Sequence, residues 1–419
     1  MLATPELIRE TGQLDQLAER LPRWRKRPLY HASLNGCAAA DWHCFQNLPL
    51  LTKRALRENF PQNFFPDATT LENLLAKNLV EREHTSGTSE ERLPVIFPRG
   101  WWDEQEARAL RLNAFIAGVL DEFSHARRAT ITSPACNGLT CPTVWMSREQ
   151  RVISQALLVN LARIPFLLSD AELTRMAQEI AEWQPQFLDV DPVQGAWFAL
   201  YCERHGLKFP SLKFVLCSYE FVSVVHRKIL ARVFGVPVFN LYGSTETGHL
   251  LMENENGEMK ASDETAFLEI VQPDAQAIGD LVVTTLSNDY MPLVRYRIGD
   301  LAAKHARPYG NDFIVHGRAR DALVACDGTR VTTWQVDQCF AEADGFAHYE
   351  LRQSENGEVS LRYVPDALSP TEETLSAVTH HLEALLQSST CIKTERMTTL
   401  VPAASGKFRL TCRVAADVV

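Results

Sequence analysis

The chain has 419 residues, 46% of them hydrophobic and 22% charged, enough to bury a large core and to form two or three domains. Its formal charge of -10 argues against a general affinity for nucleic acid or for an anionic membrane surface. No apolar run reaches the roughly 18 residues of a membrane span, since Arg163 interrupts the best candidate, "ALLVNLARIPFLL". The acids of "MLATPELIRETGQLDQLAERL" do not suit a secretory signal, so a cytoplasmic protein is expected.

From the N-terminus, His31, Cys37, His43 and Cys44 lie close together but lack the paired spacing of a zinc site and read as accidental clustering. The ten cysteines form no Cys-x-x-Cys pair, and most are expected to be thiols. "HTSGTSEERLP" (84–94) begins like a phosphate loop, with Thr85, Ser86, Gly87 and Thr88 crowding hydroxyls around a glycine. Acids follow at Glu90 and Glu91, and Arg92 is the nearest cation. A Walker-type loop is excluded, because Gly-x4-Gly-Lys is absent.

"DEQEARALRLNAFIAGVL" (103–120) predicts a helix with Ala107, Leu110, Ala114 and Ala117 on one face. "FVLC" (214–217) and "PVFNLYG" (237–243) predict short buried strands around a helix over "VVHRKILARVF". "AFLEIV", "DLVVTTL" and "DFIVHG" continue as strands. The alternation predicts an α/β architecture with a mixed sheet. After Gly317 a small α+β unit begins. "HYELRQSENGEVSLRYV" predicts two strands about an Asn356-Gly357 turn. A helix follows, capped by Ser369, with Pro370 first, Glu372 as the reciprocal acid, and Leu375, Val378, Leu382 and Leu385 as its buried stripe.

Four segments occur in order: "YGSTETG" (242–248), "RYRIGD" (295–300), "GRARD" (317–321) and "PAASGKFR" (402–409). Together with the Thr-Ser-Gly-Thr loop they resemble the acyl-adenylate-forming superfamily of acyl-CoA synthetases, adenylation domains and luciferases. "LPLLTKRALRENFP" (48–61) and "DLVVTTLSNDYMPLVRYRIGD" narrow the resemblance to phenylacetate-CoA ligases and related short ligases. It covers nearly the whole chain. It implies a large mixed-sheet AMP-binding domain over residues 1–316 and a small α+β lid over residues 317–419 that rotates between half reactions.

The resemblance implies an ATP-dependent ligase that activates an aromatic carboxylic acid and passes it to a thiol, most simply coenzyme A. Lys407 matches the lysine that contacts the carboxylate and α-phosphate oxygens, where two anions must be brought together. Glu246 matches the acid that helps hold Mg2+ on the phosphates. Thr245 would donate to a phosphate, Tyr242 would lie against adenine, and Asp300 would accept the ribose hydroxyls with help from Arg318. Gly243 and the loop residues Thr85, Ser86, Gly87 and Thr88 count with the nucleotide site. "CSYEFVS" (217–223) stands where relatives carry Gly-Ala-Glu-Pro, with Glu220 retained.

Arg320 occupies the usual position of a hinge aspartate, which puts the lid's rotation in question. Trp197, Cys217, Tyr219 and Phe239 line either an acyl pocket or the core, and His249 either faces the acid or is an ordinary histidine. Phenylacetate, benzoate, anthranilate or phenazine-type acids all fit, with a role in secondary metabolism. The chain has no carrier domain or Rossmann fingerprint, so transfer to a carrier protein or an amine, or reduction by a partner reductase, stays open, as does a homodimer. A non-catalytic nucleotide- or acid-binding protein is the competing reading, motivated by Glu90 and Glu91 and opposed by Lys407, Glu246 and Asp300.

Overall fold

The computed structural model describes residues 5–34, 42–85, 92–120, 122–134, 146–307, 310–388, 391–403 and 405–414. It is a mixed α/β protein with an α+β C-terminal region, and the chain forms two compact units. Met1–Ala117 joins Leu241–Val315 in the first; Gly118–Asn240 joins His316–Val419 in the second. No described helix is long and apolar enough to cross a membrane.

In the first unit the strands Ala266–Val271, Gly279–Thr285, Tyr296–Arg307, Gly310–Arg318, Met259–Ala261 and Gly248–Glu253 follow one another across a sheet. The pair nearest the "YGSTETG" motif is antiparallel, with Tyr242 opposite Leu251 and Ser244 opposite Gly248. Trp24, Phe64, Phe65, Phe97, Trp101 and Tyr296 anchor the core beneath. The strands Val80–His84 and Pro94–Pro98 form a separate hairpin.

The second unit carries parallel strands Arg128–Ile131, Phe187–Val190 and Phe214–Cys217, the last two buried throughout, as suits strands covered on both faces. Each following helix has a cap supplied locally. Asp191 accepts from Val193 and Gln194 N–H groups at the start of Pro192–Arg204. Ser223 caps Val224–Phe234, which ends at Gly235 with φ 66°. The C-terminal segment adds a four-stranded sheet in the order Lys393–Arg396, Val359–Pro365, Phe346–Ser354, Thr411–Val414. One apolar core runs through both segments, joining Val225, Ile229 and Leu230 with Phe340, Phe346 and Tyr349.

Two local expectations are corrected, and a third holds. Residues 103–120 form two helices, Trp101–Leu110 and Ala114–Val119, because the Asn113 side chain caps the second through Ile116 N–H while bonding Glu253 carbonyl. Ala114 and Ala117 are exposed, and Ile116 is buried instead. The strands Phe346–Ser354 and Val359–Pro365 pair antiparallel about the expected Asn356-Gly357 turn, where Gly357 takes positive φ and its N–H closes on Ser354 carbonyl. The last long helix spans Glu372–Leu386 and is capped by Thr371, not Ser369. Asp366 accepts the N–H of Ser369, which lies at φ 56°, and so delays the helix. Val378, Leu382 and Leu386 are its buried face; Leu375 and Leu385 are half-buried.

Among the described cysteines, Cys202, Cys217, Cys326, Cys339, Cys391 and Cys412 are in the thiol form, whereas Cys44 is disulfide-bonded. Cys37 lies outside the described residues.

Candidate active site

The first unit brings together Tyr242 on the strand Val238–Ser244, Glu246 in the turn that follows it, and Asp300 on the strand Tyr296–Arg307. Tyr242 hydroxyl donates to Asp300 Oδ2 at 2.6 Å, which fixes the rotamer of a carboxylate that is 5% exposed. Tyr296 hydroxyl donates to Glu246 Oε1 at 3.0 Å and orients that carboxylate in the same way. Thr245 is half-buried in the turn, while Ser244 and Thr247 hydroxyls lie 3.0 Å apart. Gly243 admits no side chain: a β-carbon there would come within 2.2 Å of Gly248 carbonyl oxygen. His249 stacks at a tilt on Trp102, with centroids 5.0 Å apart.

Glu246 supplies one carboxylate, and among the described residues no cluster of three His, Cys, Asp or Glu would hold a metal ion. That donor set fits Mg2+ arriving on nucleotide phosphates, which keeps its waters and takes only one or two protein carboxylates. Thr85 closes the base of the hydroxyl-rich loop: its N–H bonds Leu93 carbonyl at 3.0 Å, and its Oγ1 accepts Leu93 N–H at 3.0 Å. Ser86, Gly87, Thr88, Glu90 and Glu91 lie outside the described residues.

The second unit holds Lys407 and Glu220. Lys407 Nζ donates to Tyr219 carbonyl, and the next residue, Phe408, donates its N–H to Glu220 Oε1 at 2.9 Å. The lysine loop is braced by its own turn: Ala403 carbonyl accepts from Gly406 N–H at 2.8 Å and from Arg163 at 3.2 Å, and Ala403 N–H donates to Lys407 carbonyl at 2.8 Å. Gly406 lies at φ 87°, where a side chain is strained. Phe408 packs edge-on against Phe166 and His348, at 5.7 Å and 5.1 Å.

Burial, together with the neighbouring Asp191 carboxylate, drives Glu220 well above the ordinary carboxylate range, although Lys407 pulls the other way. Burial likewise raises Asp191, against the helix N–H groups that favour its ionised form. Contact with Asp191 raises Glu220, while contact with Glu220 lowers Asp191.

Of the residues considered for an acyl pocket, Cys217 is fully buried in the apolar core and Phe239 packs near Phe214, at 6.2 Å. Trp197 meets Phe166 edge to face at 5.0 Å. Tyr219 turns its hydroxyl to Asp189. Arg318 precedes a short turn, Ala319–Asp321, and Arg320 is largely exposed, 3.9 Å from Asp321. Gly317 lies at φ +91°, and a β-carbon there would meet Thr333 at 2.8 Å, so the start of this segment requires glycine.

Sequence reasoning missed Tyr296, Asp189 and Asp191. Tyr296 stands inside "RYRIGD", Asp189 interrupts the otherwise apolar strand Phe187–Val190, and Asp191 precedes Pro192 as a helix cap, which were the available signals.

No protein-family model matches the chain. Over 390 residues it is 24% identical to phenylacetate-coenzyme A ligase of Pseudomonas putida, covering 83% of this chain and 81% of the relative. Its fold is similar to that of 2-hydroxyisobutyryl-CoA ligase in the postadenylation state with 2-HIB-AMP, with TM-score 0.66 and 14% identity, covering 100% of this chain and 90% of the other. It is also similar to the anthranilate CoA ligase AuaEII with anthranoyl-AMP, with TM-score 0.56 and 14% identity over 78% of this chain and 65% of that one.

Proposed function

We propose that this chain, an acid–thiol ligase of the phenylacetate-CoA ligase-like branch of the acyl-adenylate-forming superfamily, activates an aromatic carboxylic acid with ATP and transfers it to coenzyme A. The carboxylate oxygen attacks the α-phosphorus, the bond to the β-phosphate oxygen breaks, and pyrophosphate leaves. In the second step the thiol sulfur attacks the acyl carbon, its proton is lost, and AMP leaves.

The observation that carries this reading is Lys407, held by Tyr219 carbonyl while Phe408 is held by Glu220. A cation pinned in place meets negative charge developing on the α-phosphate without reorganising, which favours the transition state over the ground state. In the first unit, Asp300 binds the ribose hydroxyls, its carboxylate set by Tyr242. Tyr242 also offers its ring to adenine. Glu246, set by Tyr296, holds Mg2+ that neutralises phosphate charge when bound. Thr85, Ser86, Gly87, Thr88, Gly243 and Thr245 complete the phosphate and nucleotide contacts, and Arg318 assists at the ribose. The segment from Gly317 acts as the lid, with Arg320 at its pivot.

The phenylacetate-coenzyme A ligase relative supports the choice of an aromatic acid, and a place in secondary-metabolite assembly is part of the same proposal. The test is exchange of labelled pyrophosphate into ATP with phenylacetate, benzoate, anthranilate, a phenazine carboxylate and 2-hydroxyisobutyrate, followed by product analysis with and without coenzyme A. Exchange with an aromatic acid and a coenzyme A thioester are expected. Exchange without thioester would redirect the acyl group to an amine, a carrier protein or a reductase. ATP binding with no exchange for any acid would favour a non-catalytic binding protein.

A further inference from the structure

The residues that receive Lys407 have an unusual backbone. Tyr219 lies at φ 73°, the left-handed region that a β-carbon disfavours. Glu220 N–H bonds Ser218 carbonyl at 2.9 Å, so the three residues form a γ-turn with Tyr219 at its centre. With positive φ at the centre this turn is the rare, strained hand, and strain of this kind persists only where the surroundings impose it.

Asp189 is what imposes it. It sits on the strand Phe187–Val190, opposite Leu216 of the parallel strand that leads into the turn, and is 6% exposed. Ser218 Oγ donates to its Oδ1 at 2.8 Å and Tyr219 hydroxyl to its Oδ2 at 2.8 Å. Bonds to a carboxylate are stronger than neutral ones, and two consecutive side chains are held at once. With its side chain anchored, Tyr219 presents its carbonyl to Lys407, and Glu220 presents its carboxyl to Phe408 N–H. Two consecutive residues of the turn thus meet two consecutive residues of the lysine loop.

We infer that Asp189 is a positioning residue for Lys407: it holds the Ser218–Glu220 turn in the shape whose carbonyl and carboxyl dock the lysine loop. The inference rests on the role given to Lys407 above. Burial and the neighbouring Asp191 push Glu220 above the ordinary carboxylate range, and Glu220 meets the loop as the acceptor of Phe408 N–H. The geometric anchor of the turn is therefore Asp189.

The test compares wild type with Asp189→Ala, Tyr219→Phe and the double variant Asp189→Ala with Tyr219→Gly, all checked for native near-ultraviolet circular dichroism. The first readout needs no activity: acetylation of Lys407 by an amine-reactive reagent, followed by mass spectrometry, with Lys208 as the internal control because its Nζ bonds Val233 carbonyl. Both single variants are expected to acetylate Lys407 about tenfold faster, the scale of one lost hydrogen bond to a charged group. Glycine takes positive φ without an anchor, so the double variant is expected to recover protection relative to Asp189→Ala.

The second readout is pyrophosphate exchange, where kcat is expected to fall about tenfold with the KM for ATP little changed, the pattern of an interaction made in the transition state. If Asp189→Ala does not fold, Tyr219→Phe carries the test alone. Lys407 labelling at the wild-type rate in folded single variants, or a double variant as exposed as Asp189→Ala, would overturn the inference. A wild type that exchanges with no acid would instead count against the proposed reaction, while the labelling result still decides the role of Asp189.

Discussion

Asp337 offers a prediction whose size comes directly from its surroundings. It lies on the helix Thr333–Gln338, is 1% exposed, and accepts from Ser223 Oγ at 2.5 Å, Val224 N–H at 2.9 Å and Tyr349 hydroxyl at 2.7 Å. Three donors favour the carboxylate, yet burial outweighs them and raises the pKa from 3.8 to about 6. The folded state therefore holds the proton more tightly than the unfolded chain. The stability this confers is fully present below pH 3.8 and is lost as pH rises through about 6.

About two pKa units at about 1.4 kcal/mol each give a loss of about 3 kcal/mol across that window. Asp337→Asn removes the titration while keeping the shape. Its amide also leaves one donor without an acceptor, which adds a pH-independent cost of about 1–3 kcal/mol. The difference in stability between variant and wild type should thus move by about 3 kcal/mol in favour of the variant between about pH 4 and pH 6, then level off. The assay is denaturant-dependent hydrogen exchange, read by mass spectrometry on peptides from residues 118–240 and 316–419, which isolates the unit that contains Asp337. Parallel stability curves for the two proteins across that window would refute the argument that burial, and not the three donors, sets this group.

The remaining predictions concern other groups. His226 Nε2 and His348 Nδ1 lie 3.1 Å apart in a fully buried pair. Burial depresses His226 to about 3 and His348 well below its ordinary value, so their stabilisation is present above about 6.5 and lost as pH falls. Replacing both by Phe should flatten the acid limb of the same exchange profile, opposite in sign to Asp337→Asn. Lys407→Ala should lower adenylate formation about a hundredfold in pyrophosphate exchange; conversion of synthetic acyl-adenylate should survive, and equal loss of both steps would remove the assigned role. Asp300→Asn should weaken ATP binding by calorimetry and leave affinity for the free acid unchanged, with Tyr242→Phe weaker in the same direction because it only orients that carboxylate. Glu246→Gln should raise the Mg2+ concentration for half-maximal exchange, and Tyr296→Phe should do so to a smaller degree.

The amino-acid sequence by itself determined those features whose causes lie within a few residues. The helix Val224–Phe234 was legible because Ser223 caps it and Gly235 ends it. The strand Phe214–Cys217 was legible as an apolar run, and Lys407, Asp300, Glu246 and Tyr242 were singled out by short motifs. Local signals misled where a second polar side chain took a backbone group the pattern had assigned elsewhere. Asp366 captures the N–H of Ser369 and moves the cap to Thr371. Asn113, bonded to Glu253 carbonyl 140 positions away, caps a second helix where periodicity predicted one.

Only the tertiary structure decided the surroundings of the chemistry-bearing side chains. Asp189 reads in sequence as one acid in a strand, and becomes an anchor because parallel pairing sets it beside the turn at Tyr219, 30 positions on. Tyr219 then meets Lys407 across 188 positions. Backbone sterics and capping act over three or four residues and so leave a local record. A hydrogen bond between side chains far apart in sequence exists only after the strands between them have packed, and the shift in Glu220, which needs Asp191 and burial together, arises by the same route.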